Sequence, residues 1–357
     1  MMRRHASLLL LLLALGACAG GGAPDLDDPA ERDALIAAAL DEIDAADLSE
    51  KVFTLAADSM RGRDTPSPEI EATATWIAER MEAAGLVPGA ADGTYIHRYS
   101  APAWDPETAP NVVAVLEGSD PTLRDEYVVY SAHMDHVGVG EPRGESTDSI
   151  WNGADDNASG TSTLMEVAEA MASLPPELRP RRSMMFLWVS GEEKGLLGSA
   201  AFAADPSVPV ESMVANFNVD MVGRNWTDTI VAIGKEHSDL GATMNRINAA
   251  NPDIGMTAID DIWPEQNFYR RSDHFNFARR GVPVLFFFNG THEDYHRASD
   301  EPGKIDTEKM ARIGRLLFLL GVEVGNADAR PQWDPDSYAA IVDRAPDGGE
   351  GAELEQG

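Results

Sequence analysis

Acidic and histidine side chains follow several apolar segments of this sequence, at the point where each segment ends. The apolar segments cover residues 127–132, 183–189 and 213–219. The polar residues that follow them are His133, Asp135, Glu192, Glu193 and Asp220. Because ligands of open α/β sheets gather at the carboxyl ends of the strands, we expect these side chains to converge.

Two further residues, Asp155 and His296, come from loops that can lie above the same edge. The combined set contains imidazole and carboxylate groups and no thiolate, which suits zinc or another borderline divalent ion. Each signal is weak by itself, since a His-x-Asp pair is more often a hydrogen-bonded pair than a ligand pair. The set holds more groups than one tetrahedral ion needs. A carboxylate shared by two ions, roughly 3.5–4 Å apart, would use them all.

The elements that must position these residues alternate between strand and helix through the middle of the chain. Apolar residues at helical spacing predict helices over 29–48, 68–84, 160–174, 238–250 and 306–324. Further strands are predicted over 111–117, 229–233 and 282–288. The predicted fold class is α/β, with a largely parallel, mixed central sheet flanked by helices on both faces. The uniformly apolar segment 183–189 is typical of a strand that is covered on both faces.

Composition limits the function further. The chain of 357 residues has 60 acidic residues against 28 Lys and Arg, a formal net charge of −32. Such an excess argues against nucleic acid or an anionic membrane surface as a partner. No composition break divides the middle of the chain, so we predict a single domain over residues 29–325. Residues 326–357 are predicted to be an acidic, partly disordered tail.

The first residues have the pattern of a targeting sequence. Arg3 and Arg4 precede a short leucine-rich core, and the core ends in a segment, 15–18, that resembles a bacterial lipobox. This pattern predicts a signal peptide over 1–17, lipidation of Cys18 and a tether over 18–28. The predicted location is the bacterial cell envelope, with the protein lipid-anchored on the extracytoplasmic face. Ala19 favours the outer membrane.

Several motifs of this sequence resemble those of a known protein family. The motifs are His133-x-Asp135, Gly153-Ala154-Asp155-Asp156-Asn157-Ala158-Ser159-Gly160, Gly191-Glu192-Glu193, Asn218-Val219-Asp220-Met221, Ser272-Asp273-His274 and Tyr295-His296. In this order they resemble the M28 family of zinc metallopeptidases, which includes bacterial aminopeptidases. The resemblance covers roughly residues 48–322. The segment between Asp47 and the strand at Asn111 is too short for the inserted protease-associated domain that some relatives carry.

The resemblance implies a site for two zinc ions. Asp155 would bridge both ions. His133 and Asp220 would complete one ion, and Glu193 and His296 the other. The implied activity is removal of N-terminal residues from peptides, and the oligomeric state stays open.

Three more residues receive roles from the resemblance. Glu192 would be the general base, and it must not be a ligand because it needs a free carboxylate. Asp135 would accept a hydrogen bond from the His133 ring and fix its tautomer. Tyr269 would help to hold the tetrahedral oxyanion. The resemblance also implies a cis peptide bond between Asp155 and Asp156.

Other activities stay open. A carboxypeptidase-type relative would need a basic clamp, for which the sequence offers Arg63, Arg224, Arg270 and Arg271. A glutaminyl-cyclase-like relative would use one zinc ion. A protein of another class, a non-catalytic zinc-binding envelope lipoprotein, would have no need of Glu192.

Several residues near the motifs keep an open role. The aromatic residues that could line a substrate pocket are Trp151, Trp263, Phe268 and Tyr269. Asp273 and His274 are predicted to be structural. His136 and His292 are undecided between a structural role and a role in the site.

Overall fold

The computed structural model describes residue 26 and residues 28–142 and 147–342. The predicted signal peptide, the lipidation site Cys18 and most of the predicted tether lie outside the described residues, as does the end of the tail. They therefore stay predictions. Among the described residues, none of the helices combines the length and the hydropathy of a membrane-spanning segment.

Nine α-helices surround the sheet in the described residues. They are α1 (Pro29–Asp41), α2 (Ala45–Leu55), α3 (Pro68–Ala83), α4 (Gly160–Ser173), α5 (Leu197–Ala204), α6 (Leu240–Ala250), α7 (His274–Ala278), α8 (Thr307–Asn326) and α9 (Pro335–Ile341). The predicted helix over 29–48 is two helices. Asp44 separates them because its carboxylate accepts hydrogen bonds from the backbone of Ala46 and Asp47, which caps α2.

Nine strands in the described part of the chain form one sheet. They are β1 (Val87–Pro88), β2 (Ile96–Tyr99), β3 (Ala109–Leu116), β4 (Tyr127–His133), β5 (Ser183–Val189), β6 (Met213–Asp220), β7 (Thr229–Ile233), β8 (Thr257–Ile259) and β9 (Val284–Phe288). Their order is β1-β3-β5-β4-β6-β9-β7-β8, with β2 paired to β3. The short strands β1, β2 and β8 carry too few residues for a periodic signal, which is why the sequence did not predict them.

The centre of the sheet is parallel, and an antiparallel pair borders it on each side. Strands β5, β4, β6 and β9 run in the same direction, whereas β3 and β7 pair antiparallel with β5 and β9. This confirms the predicted α/β class with a mixed sheet. The carboxyl ends of the four parallel strands therefore meet at one edge, where the polar motifs begin.

Helices cover both faces of the sheet, as predicted. In β5, Met184, Phe186 and Trp188 belong to the apolar core on one face. Met185 and Leu187 belong to the core on the other face. This alternation follows from the two-residue period of a strand, and it explains why the segment is apolar at every position. Each large side chain that is fully buried here stabilises the fold by about 1.5–3 kcal/mol.

The longest helix packs closely on the central strand. The Tyr130 hydroxyl donates a hydrogen bond to the Leu317 carbonyl at 2.8 Å. A Cβ atom at Gly321 would lie 1.8 Å from the Tyr130 oxygen, so only glycine permits this approach.

The first part of the predicted tail is structured. Trp333 donates a hydrogen bond from its indole nitrogen to the Gly281 carbonyl at 2.9 Å, and Ile341 is buried in the second apolar core. Residues 326–342 therefore pack against the domain.

Candidate metal centre

The first part of the site lies at the ends of two neighbouring strands. His133 is the last residue of β4 and Asp220 the last residue of β6, and these strands pair in parallel. The His133 Nε2 atom lies 3.2 Å from Asp220 Oδ1. Ser272 donates a hydrogen bond to the other Asp220 oxygen at 2.9 Å, which holds this carboxylate in place.

The loop Ala154–Ser159 brings a second carboxylate to the same place. Asp156 Oδ1 lies 3.4 Å from His133 Nε2. The Asp300 carboxylate accepts hydrogen bonds from the backbone N–H groups of Asp155 and Asp156 at 3.0–3.1 Å. Burial, with the charge of Asp155 next, raises the pKa of Asp300 to about 6.

The carboxylate between the two halves of the site belongs to Asp156 and not to Asp155. The Asp155 side chain points away, accepting hydrogen bonds from the Gly223 N–H at 2.6 Å and from His292 Nε2 at 3.1 Å. The non-proline cis peptide bond joins Asp156 to Asn157, not Asp155 to Asp156. The carboxylate between the two halves and the cis peptide bond therefore each lie one residue later than predicted. The sequence could not place them because consecutive side chains of this non-helical loop point to different sides.

Gly153 makes the turn into this loop possible. Its φ is +58°, and a Cβ atom there would lie 2.3 Å from the Asp156 carbonyl oxygen and 2.4 Å from the His136 ring. A side chain at this position would therefore displace both residues.

The second half of the site surrounds Glu193. Its Oε2 atom lies 3.0 Å from His296 Nε2, and its Oε1 atom lies 2.8 Å from His136 Nδ1. Asp156 Oδ2 lies 3.1 Å from His296 and 3.7 Å from His136. The chain reaches His296 through a positive φ of 53°, and the Tyr295 ring stacks on its imidazole at a centroid distance of 3.9 Å.

Glu192 and Glu193 lie in the loop after β5, and Asp135 connects this loop to the first half of the site. Asp135 Oδ1 accepts a hydrogen bond from the Glu192 N–H at 3.3 Å. It lies 3.7 Å from His133 Nδ1, but the carbonyl oxygen of Asp135 is nearer to that nitrogen, at 3.2 Å. Asp135 thus lies beside the His133 ring, as predicted, but its closest contact with the ring is through its backbone carbonyl and not through its carboxylate.

The electrostatics of the site reflect an excess of buried carboxylates. Burial acts to lower the pKa of His133, but the charges of Asp220 and Glu192 outweigh it and raise this pKa well above the ordinary value. Burial raises the pKa of Glu192 well above its ordinary value. Burial also raises the pKa of Asp220, although His133 opposes the shift. Such a surplus of negative charge favours a bound cation.

A pocket opens onto the first half of the site. Its lining residues are His133, Asp156, Glu192, Asp220, Met221, Phe268, Arg271, Phe286, Phe288, Thr291 and Tyr295. It therefore has an acidic floor and a largely aromatic wall. A wider groove that is lined by Arg280, Trp333 and Tyr338 contains none of the predicted site residues.

The tyrosine that lines the pocket is Tyr295 and not Tyr269. The Tyr269 ring packs on His237 at a centroid distance of 4.4 Å, and its carbonyl oxygen interacts with the His274 ring at 2.8 Å. The neighbouring residue Phe268 faces the pocket instead. Because adjacent residues point to different sides, the structure does not place Tyr269 where the predicted oxyanion would lie.

The other open assignments resolve as follows. Trp151 and Trp263 do not line the pocket, although Trp263 packs behind its wall against Phe288 at a centroid distance of 5.8 Å. His274 is fully buried, and burial lowers its pKa to about 3, which fits the predicted structural role. His292 contacts Asp155.

Arg63 holds the loops of the site together from below. Its guanidinium is completely buried and donates hydrogen bonds at 2.6–2.9 Å to four backbone carbonyls, those of Leu55, Met134, Asn152 and Gly153. Burial lowers the pKa of Arg63 to about 10, so the group stays charged at neutral pH.

Replacing Arg63 by methionine is expected to lower the free energy of unfolding by at least about 3 kcal/mol, because four buried carbonyls lose a charged donor. Arg61→Met is the matched control. The Arg61 side chain is 57% exposed, and its ion pair with Glu69 is long at 3.5 Å. Its loss should therefore change the free energy of unfolding by less than about 0.5 kcal/mol. Urea unfolding measures both changes. Equal effects of the two substitutions would contradict the role of Arg63.

The residues present fit divalent metal ions. Two groups have ligand atoms within 4.8 Å of one another: His133, Asp156 and Asp220, and His136, Asp156 and Glu193. Four buried atoms of the second group make no hydrogen bond with the described residues: Asp156 Oδ2, Glu193 Oε1, His136 Nδ1 and His136 Nε2. The neighbouring His296 Nε2 atom makes none either. Buried polar atoms without partners are rare unless an ion or water satisfies them.

Sequence reasoning missed the central role of Asp156 and left His136 undecided. It had no signal for Asp300, which lies 144 residues beyond Asp156. Both Asp156 and His136 stand inside the quoted motifs or directly beside them, so their chemistry was visible. Which way each side chain points was not.

Comparisons with known proteins agree with this picture. The profile of peptidase family M28 matches residues 111–320. A probable leucine aminopeptidase of Arthroderma benhamiae is 26% identical over 262 residues, which cover 71% of this chain and 67% of that protein. A probable zinc metalloprotease of Pyricularia oryzae is 28% identical over 352 residues, covering 83% of this chain and 67% of that protein.

Solved structures share the fold. The Legionella pneumophila LapA aminopeptidase superposes with a TM-score of 0.62 at 22% identity, covering 83% of this chain and 75% of that one. An aminopeptidase from Aneurinibacillus superposes with a TM-score of 0.61 at 16% identity, covering 84% of this chain and 97% of that one.

Proposed function

The chain belongs to peptidase family M28 and is a zinc-dependent exopeptidase, and from its site we propose that it is an aminopeptidase that uses two zinc ions and Glu192 as general base. The observation that carries this proposal is the position of Asp156. One of its oxygens lies 3.4 Å from His133 and the other 3.1 Å from His296. A carboxylate placed between two ligand sets is the arrangement that a two-metal hydrolytic site requires.

The division of ligands follows from these distances. His133, Asp156 and Asp220 would hold one ion. Asp156, Glu193 and His296 would hold the other. Zinc bound there would polarise the scissile carbonyl of the substrate and make a bound water acidic enough to act as a nucleophile near neutral pH.

Glu192 is the acid–base group of the proposal. It lines the pocket beside His133 and Asp220, and the structure shows no ion pair of its carboxylate with a cation among the described residues. Its carboxylate would take the proton of the attacking water and pass it to the leaving amine. A nearby bound cation favours the ionised form that this step needs, against the effect of burial. The hydrogen bond from its N–H to Asp135 holds the loop in register with His133.

The substrate side of the proposal rests on the pocket wall. Phe268, Phe286 and Phe288 surround a space next to the ligands, and this wall suits an apolar N-terminal side chain. A tyrosine that donates to the oxyanion would be Tyr295, since it lines the same pocket.

A carboxypeptidase would need a cationic side chain to bind the carboxylate of its substrate. One of the four candidate arginines is in a position to do so. Arg63 is buried on backbone carbonyls, and Arg224 is paired with Asp294 at 2.9 Å. Arg270 lies over the Phe275 ring at 5.3 Å and does not line the pocket. Only Arg271 among them lines the pocket. Because acids outnumber this cation, the aminopeptidase is favoured.

Purified protein tests the proposal. We expect it to release N-terminal residues from short peptides with a free amine, and to leave N-acetylated peptides intact. A chelator should abolish activity and remove two zinc ions per chain, and added zinc should restore both. Cleavage of N-acetylated peptides from the carboxyl end would favour the carboxypeptidase alternative. A single zinc ion would favour the cyclase-like relative, and zinc without turnover the non-catalytic lipoprotein.

A further inference from the structure

His136 lies at the site but belongs to neither of the proposed ligand sets. It is fully buried, and neither of its ring nitrogens makes a hydrogen bond with a described residue. Its Nδ1 atom lies 2.8 Å from Glu193 Oε1, which is close enough for a hydrogen bond. The ring is therefore in direct contact with this carboxylate.

His296 shows the same property. Its Nε2 atom lies 3.1 Å from Asp156 Oδ2 and 3.0 Å from Glu193 Oε2, yet it makes no hydrogen bond with the described residues. The two imidazoles approach each other with a centroid distance of 5.7 Å and nearly edge to face. Two imidazoles that converge on the same two buried carboxylates indicate a shared third partner.

The spacing suits a tetrahedral ion. Ligand atoms at about 2.0–2.2 Å from zinc are separated by about 3.3 Å from one another. His136 and His296 each lie 2.8–3.7 Å from oxygen atoms of both Asp156 and Glu193. Hence four side chains can surround one centre.

We propose that His136 is the fourth protein ligand of the second zinc ion, with Asp156, Glu193 and His296. This inference rests on the proposed two-zinc function. The second site is then closed by four protein ligands, as in sites where zinc serves a structural purpose.

The first site is open by comparison. Its protein ligands are His133, Asp156 and Asp220, and all three line the substrate pocket. His136, Glu193 and His296 do not line that pocket. Three protein ligands and an open position are the arrangement of catalytic zinc. The two ions therefore differ in role: the first faces the substrate, and the second fixes the shared Asp156 carboxylate.

The alternative is that His136 only orients Glu193 through a hydrogen bond. The substitution His136→Asn separates the two cases, since the asparagine amide can still donate to Glu193 but is a poor ligand for zinc. His97→Asn is the matched control, because His97 contacts Asn111 at 3.2 Å and has no contact with the site.

The experiment measures zinc content, zinc affinity and X-ray absorption at the zinc edge. For the wild-type protein loaded with two zinc ions, we expect three imidazoles shared by the two ions. In His136→Asn, one ion should stay bound while the affinity for the other falls by at least about tenfold. His97→Asn should keep both.

Other results would decide against the inference. If the wild-type spectrum shows two imidazoles for two ions, or if His136→Asn keeps both ions with unchanged affinity, His136 is not a ligand. The wild-type spectrum gives this answer even when the variant does not fold. A wild-type protein with fewer than two zinc ions would instead overturn the proposed two-zinc function, and the inference with it.

Discussion

Glu192→Gln is expected to lower peptide hydrolysis by about 10²–10⁴-fold while the zinc content stays unchanged. The amide keeps the size and the polarity of the side chain but cannot take a proton. Glu192 is in neither of the two proposed ligand sets, so its loss should leave both ions in place. Steady-state rates with an unblocked peptide and metal analysis of the same sample measure the two quantities.

The adjacent residue provides the control. Glu193 contacts His136 and His296 through different oxygens, so Glu193→Gln should reduce zinc binding as well as turnover. The contrast tests the assignment of two neighbouring glutamates to two roles. Turnover close to the wild-type value in Glu192→Gln would remove Glu192 from the mechanism.

Asp156→Asn should be the most damaging substitution for the metal centre. Its two oxygens lie near His133 on one side and His296 on the other. One substitution therefore weakens both ligand sets. We expect activity to fall by more than about 100-fold, beyond the usual cost of changing a residue that only supports a ligand, and zinc to be lost from both sites.

Asp155→Asn is the matched comparison, since the same chemical change is made one residue earlier. Asparagine can still accept the hydrogen bond from the Gly223 N–H, so zinc should stay bound and activity should fall by about tenfold or less. If Asp155→Asn lost both ions while Asp156→Asn kept them, the original prediction of Asp155 as the bridge would be right and the present assignment wrong.

The fold was largely predictable because its signals are local. The uniformly apolar strand Ser183–Val189 could be assigned from composition and length alone, and the structure has it with these bounds. The helix predicted over 29–48 was less accurate, since apolar spacing continues across the break that Asp44 caps. The short strand Thr257–Ile259 has three residues and no periodicity to detect.

The residues that form the site could be predicted from the sequence, but the orientation of some of their side chains could not. His133 and Asp220 end parallel neighbouring strands, and this position sets their direction. Asp155 and Asp156 lie in an irregular loop, where no periodicity tells which carboxylate turns inward. The Asp300 carboxylate accepts hydrogen bonds from the backbone N–H groups of both residues and so fixes the conformation of this loop.

What the sequence determined by itself was the set of chemical groups, the strand ends that carry them and the peptidase family, since residue type, apolar pattern and motif order are properties of the chain alone. The tertiary structure decided which of two adjacent acids lies between the ligand sets, which tyrosine lines the pocket, and that His136 lies beside Glu193. These outcomes depend on contacts between residues far apart in sequence, such as Asp156 with His296. Only the packed molecule brings such residues together.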